Sequence, residues 1–241
     1  RRYYGFGRQV RGQVGEWDPN LFGTDEYIQF CRDIGAEPMI NVNIKNGLQS
    51  TLNWIEYCNG ERETTWGARR ASNRYPEPYN VKYWVIDNEP LSTPSMKGYL
   101  KGQYPEIAAE WAHAMKAKDP NIKVFIFGEW SGDSWILAPS TPEFDIEVLK
   151  ATRDVIDYLC MHWYMDQHKY PPLQGTPLKV EQAFHKIKKT LDEICPNRRV
   201  QIALTEWNTQ CFSETGGNLA QGLDAAMLLN VLERASAKGI V

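Results

Sequence analysis

The chain has 241 residues, 42% hydrophobic and 24% charged, with a net charge of −3 and a pI near 5.9. That length suits one large α/β domain with a well-buried core. The weakly acidic balance offers no basic patch for nucleic acid or an anionic membrane surface, and no run of about 18 apolar residues is present to cross a bilayer; neither nucleic acid nor membrane is expected as a partner.

The predicted elements alternate. Thr24 to Gly35 reads as a helix: Thr24 can cap it, Asp25 and Glu26 suit its positive end, and Tyr27, Phe30, Cys31 and Ile34 form one apolar stripe. Pro38 to Asn43 reads as a strand, Leu48 to Cys58 as a helix, and Glu61 to Asn80 as a polar, Arg-rich loop. Val81 to Ile86 is a strand running into Asp87-Asn88-Glu89-Pro90, and Pro105 to Lys118 a helix stopped at Asp119-Pro120. Ile122 to Phe127 is a strand, and a short helix starts at Thr141-Pro142. Val155 to Met161 is a strand leading to His162-Trp163-Tyr164, Leu178 to Ile194 a helix, Val200 to Thr205 a strand ending at Glu206, and Leu219 to Ala235 the last helix.

Short apolar strands alternating with amphipathic helices build βαβ units on a parallel sheet. No Gly-rich phosphate loop follows any strand, which argues against a dinucleotide-binding sheet. The polar residues Asn43, Asn88, Glu89, Glu129, His162, Tyr164 and Glu206 collect at strand C-termini, where a (β/α)8 barrel keeps its reactive groups. The expectation is an α/β (β/α)8 TIM barrel, incomplete, occupying residues 1–241 as a single catalytic domain with 1–21 as a lead-in loop. The two ends read as those of a piece of a longer protein.

Glycoside hydrolysis needs two carboxyl groups flanking the scissile bond. Glu89 and Glu206 each close an apolar strand and are the candidate pair; a lone Glu in such a place also serves as a helix N-terminal charge or a loop residue. His162 either orients a carboxylate or sugar, or is a packed strand-end histidine. Glu129 and Asp133 follow a strand and either line the cleft or are structural. Trp207 reads as a cleft wall, and Arg62, Arg69, Arg70 and Arg74 either as a solvated loop or as one that touches polymer or a neighbouring subunit. The five cysteines, Cys31, Cys58, Cys160, Cys195 and Cys211, show neither disulfide nor zinc spacing, so no metal is expected and a reducing, cytoplasmic setting fits them best.

Together, Phe22-Gly23-Thr24-Asp25-Glu26, Gly35-Ala36-Glu37-Pro38, Glu56-Tyr57-Cys58-Asn59, Pro78 to Trp84, Asn88-Glu89 and Leu204-Thr205-Glu206-Trp207-Asn208 resemble the α-L-arabinofuranosidases of glycoside hydrolase family 51. The resemblance implies a barrel with an attached β-sandwich, no cofactor, and retaining release of terminal L-arabinofuranosyl groups from arabinan, arabinoxylan or arabino-oligosaccharides. It implies Glu89 as acid/base on the fourth barrel strand and Glu206 as nucleophile on the seventh. Asn88 matches the residue that holds the sugar 2-hydroxyl, Tyr164 the Tyr beside the nucleophile, and Trp17 a stacking Trp. The family also allows a homo-oligomer. This chain departs from the pattern in three places. The first two barrel strands, the end of the barrel and the β-sandwich have no counterpart, which leaves strands three to seven, and Asp87 stands where the family usually has Gly. Two other readings stand beside this one: another retaining barrel glycosidase of the same clan, a β-xylosidase or endoglycanase, and a non-catalytic carbohydrate-binding fragment.

Overall fold

The computed structural model describes residues 21–90, 103–128, 142–164, 176–208 and 219–240. Trp17, Glu129, Asp133 and Cys211 lie outside them. The chain divides into two compact units, Arg1–Met39 and Ile40–Val241.

In the first unit, α1 spans Thr24–Asp33. Its cap is Gly23 rather than Thr24: the Glu26 carboxylate reaches back to accept the Gly23 N–H at 2.9 Å. This is the reciprocal half of a capping box, and it leaves Thr24 inside the first turn. Gly35, at φ +70°, turns the chain out of the helix, a conformation that costs a residue with a Cβ. The Tyr27 hydroxyl donates to the Met39 carbonyl and accepts the Met39 N–H, both at 3.1 Å.

The second unit is built on a five-stranded sheet in the order β1-β2-β3-β4-β5, with β1 at Met39–Val42, β2 at Tyr83–Ile86, β3 at Lys123–Phe127, β4 at Tyr158–Tyr164 and β5 at Gln201–Asn208. Strands β2 to β5 pair in parallel. The connections carry α2 (Leu48–Asn59), α3 (Thr65–Ser72), α4 (Tyr104–Lys118), α5 (Pro142–Thr152), α6 (Thr176–Ile194) and α7 (Leu219–Ala237). Sequential strands each joined through helices are the repeating unit of a (β/α)8 barrel, and the described residues supply five such strands.

Both faces of the sheet are filled. Trp84, Ile86, Val124, Ile126 and Leu159 are fully buried. Alternate residues form an aromatic layer: the Phe125 and Tyr158 rings stack with centroids 4.2 Å apart, and Tyr83 meets both edge-on. At the N-terminal end of the strands, Asp157 joins four groups. It accepts the Val124 N–H at 2.9 Å and pairs with Lys116 at 2.7 Å, Arg198 at 3.2 Å and Lys123 at 3.3 Å. A cleft of about 550 Å³ at that same end is lined by Glu56, Asn59, Lys118 and Asp119, but these bond to one another, Glu56 with Lys118 and Asn59 with Asp119. It lies at the opposite end of the sheet from His162 and Glu206.

Three expectations change. The stretch from Glu61 to Asn80 is not a continuous loop: Thr64 caps α3 by accepting the Gly67 N–H at 3.1 Å. Its arginines differ as well, since Arg62, Arg69 and Arg74 are exposed while Arg70 is fully buried. The Arg70 guanidinium donates to the carbonyls of Tyr57 at 2.7 Å, Tyr75 at 3.1 Å and Pro76 at 3.1 Å. Buried carbonyls need donors, and this planar fork supplies three at once. Finally, β4 and β5 run past the expected ends at Met161 and Thr205, so His162 and Glu206 lie inside strands rather than after them. No helix among the described residues is long and apolar enough to cross a membrane.

Candidate active site

The site forms at the C-terminal ends of β2, β4 and β5, where three side chains far apart in sequence meet. His162 Nδ1 shares a 2.7 Å hydrogen bond with Glu89 Oε1 and lies 3.4 Å from Glu206 Oε2. One ligand-type atom from each of Glu89, His162 and Glu206 lies within 4.8 Å of the others. The side chains grade from closed to open: His162 is 1% exposed, Glu89 18% and Glu206 37%. His162 shows features of both readings the sequence left: it touches a carboxylate, and its ring is packed and buried.

Each member is held by its strand end in a different way. The chain leaves β2 through two non-glycine residues in the left-handed region, Asp87 at φ +62° and Glu89 at φ +46°. Such backbone is costly and is held only by its surroundings. Here the Asp87 N–H donates to the Val42 carbonyl at 2.8 Å, and Asp87 Oδ1 accepts the Asn88 N–H at 2.8 Å. His162 is wedged edge-on against Phe127 with ring centroids 4.7 Å apart.

Glu206 is placed by a register shift. Met161 pairs with Leu204, but His162 pairs with Glu206, so Thr205 is an extra residue on β5. In unbroken register Thr205 would oppose His162, and Glu206 would oppose Trp163 on the other face. The bulge re-aims the carboxylate, a common use of bulges beside active sites. Thr205 also hydrogen-bonds the buried Cys160 thiol, whose pKa burial pushes up to about 12. That thiol is a packing group rather than a nucleophile.

Residues 5–188 match the α-L-arabinofuranosidase 1 domain family. The chain belongs to the α-L-arabinofuranosidases of glycoside hydrolase family 51. α-L-Arabinofuranosidase C of Emericella nidulans is 31% identical over 238 residues, covering 91% of this chain and 47% of that protein. The intracellular exo-α-(1→5)-L-arabinofuranosidase of Acetivibrio thermocellus is 33% identical over 199 residues, covering 79% and 39%. The crystal structure of an α-L-arabinofuranosidase from Thermotoga maritima, in complex with arabinose, is 33% identical with a TM-score of 0.80, covering 92% of this chain and 46% of that one. The chain spans about half the length of the curated relatives it matches.

Within this arabinofuranosidase frame the remaining residues fall as follows. Asn88 sits between the two strained residues, half-buried, with its N–H turned to Asp87. Tyr164 ends β4 opposite Asn208. Trp207 opposes Trp163, one residue on from Glu206, and so leaves β5 on the alternate face. Asp87 follows β2 rather than belonging to it and is 6% exposed. Burial pushes its carboxyl above the usual range, against the Asn88 N–H and the charge of Lys45. Its Oδ2 is buried without a hydrogen-bond partner. The free cysteines Cys31, Cys58, Cys160 and Cys195 are all buried.

The three-residue cluster is only partly legible in the sequence. Both carboxylates showed as polar ends of apolar strands. The position of His162 between them arises from neighbouring strands in a sheet, and no spacing along the chain encodes it.

Proposed function

We propose that this chain carries the catalytic machinery of a retaining α-L-arabinofuranosidase, releasing terminal α-L-arabinofuranosyl residues from arabinan, arabinoxylan or arabino-oligosaccharides. The observation that carries the reading is the approach of Glu89 and Glu206, with an oxygen of each within 4.8 Å. Retaining pairs stand about 5–5.5 Å apart, whereas inverting pairs stand about 6.5–9.5 Å apart to admit a water. Family membership supports the choice of sugar.

Glu206, ionised and the more open of the pair, attacks the anomeric carbon. The C1–Oε bond forms as the bond from C1 to the leaving oxygen breaks, and Glu89 passes its proton to that oxygen. In the second half Glu89 takes a proton from water, the water oxygen bonds C1, and the ester to Glu206 breaks. His162 Nδ1, within reach of both carboxylates, holds them in their mutual orientation and can donate to whichever is charged. Asn88 is assigned to the sugar 2-hydroxyl, where a hydrogen bond strengthens in the transition state. Tyr164 is assigned to the neighbourhood of the nucleophile, and Trp17 and Trp207 to the walls of the cleft.

The test is hydrolysis of aryl glycosides by the protein that carries this chain. Glu206→Ala should abolish release from an aryl α-L-arabinofuranoside. Glu89→Ala should lose least on substrates with the best leaving groups, because these need no proton. Full activity in Glu206→Ala, or faster turnover of an aryl β-xyloside than of the arabinofuranoside, would reject the reading.

A further inference from the structure

The catalytic cluster also has the composition of a metal site. We propose that Glu89, His162 and Glu206 bind one divalent transition-metal ion of the zinc class, and that the bound ion blocks hydrolysis by occupying both carboxylates. The binding stands on geometry alone; the blocking rests on the arabinofuranosidase reading.

Zinc takes imidazole nitrogen at about 2.0–2.1 Å and carboxylate oxygen at about 2.0–2.2 Å, in a tetrahedron. Ligand atoms of such a tetrahedron lie about 3.4 Å apart. The two edges that involve His162 Nδ1 are 2.7 and 3.4 Å. The carboxylate–carboxylate edge is within 4.8 Å and closes by rotation of the Glu206 side chain, which is 37% exposed and has room to turn. The ligand atoms come from three different strand ends: the left-handed turn at Glu89, the Phe127-wedged ring of His162, and the bulge at Glu206. Three protein ligands, one of them on the partly exposed Glu206, match the donor count of zinc sites that keep a fourth, exchangeable ligand. An imidazole among only three donors favours zinc, cobalt or copper over magnesium and calcium, which need more oxygen ligands.

Catalysis needs the same oxygens free, Glu206 to attack carbon and Glu89 to carry a proton. Metal and substrate are therefore mutually exclusive, and inhibition is competitive: KM rises with metal while kcat at saturating sugar stays constant.

The experiment is titration of the full chain with Co²⁺, read by visible absorption, and with Zn²⁺, read by calorimetry. Stoichiometry of one is expected. Glu206→Gln and His162→Gln should each weaken binding at least tenfold, since even outer-shell changes cost about that much. His113→Gln, which alters an exposed histidine 3.5 Å from Asp154, should bind as the parent does. Circular dichroism establishes the fold of each variant, and Glu206→Gln alone decides the matter if the buried His162 variant does not fold. Affinity unchanged in Glu206→Gln, or Mg²⁺ displacing Zn²⁺ at equal concentration, overturns the site. Zinc bound at one equivalent without competitive inhibition of the active protein overturns the blocking. Because the titration uses no sugar, a failure of the arabinofuranosidase reading leaves its outcome unaffected.

Discussion

His162 and Glu206 face one another across β4 and β5 because Thr205 is left out of the pairing. The same bulge brings the Glu206 carboxylate within 3.4 Å of an imidazole that already bonds Glu89 at 2.7 Å. The geometry of the candidate site thus rests on an irregularity of the sheet, combined with a second irregularity, the left-handed backbone at Asp87 and Glu89. Both lie toward the C-terminal ends of the strands, where a barrel architecture keeps its reactive side chains.

The strained turn makes a stability prediction. Asp87→Gly places a residue without a Cβ at φ +62° and removes a buried carboxyl. Asp87→Ala removes the carboxyl but keeps the strain. The glycine variant should be the more stable of the two by about 1 kcal/mol, measured as the difference in urea unfolding. Equal stability would mean that the turn stores no strain.

Arg70 makes a second. Arg70→Met should cost about 3 kcal/mol, because three buried carbonyls lose their donor. Arg70→Lys should recover less than half of that, since a single ammonium cannot span three acceptors fixed for a planar fork. Thermal unfolding of the two variants checks both statements; a fully stable lysine variant would contradict the clamp.

Asp157 sets an acid limit. Burial alone would raise its carboxyl, but Lys116, the Val124 N–H and Lys123 outweigh burial and hold it below the usual carboxylate range. A group depressed in the folded state stabilises the fold above its unfolded value, about 3.9, and loses that contribution as pH falls through the lower folded value. Asp157→Asn should therefore be less stable than the parent by about 2 kcal/mol at neutral pH, with the gap narrowing below about pH 4. Unfolding curves from pH 7 to pH 3 measure the gap, and a constant difference would contradict the linkage.

Much of this was readable from residues. Apart from α3, the α-helices and strands of the second unit follow from apolar period and from stops such as Asp119-Pro120, and the carboxylates stood out as polar ends of buried strands. The α3 helix escaped because its buried positions are Gly67 and Arg70, which no hydrophobic pattern counts. Thr64, three residues before Gly67, was its one local signal. The strands β4 and β5 were cut short at Met161 and Thr205, although hydrogen bonding continues to Tyr164 and Asn208. A bulge costs nothing in composition, so the alignment of Glu206 with His162 left no trace in the sequence.

In the proposed mechanism Glu206 forms a bond to the sugar. A fluorinated aryl arabinofuranoside that forms the intermediate quickly and releases it slowly should leave one pentosyl adduct on the protein, and peptide mass spectrometry should place it on Glu206. An adduct on Glu89, or turnover with inverted anomeric configuration and no adduct, would contradict the account.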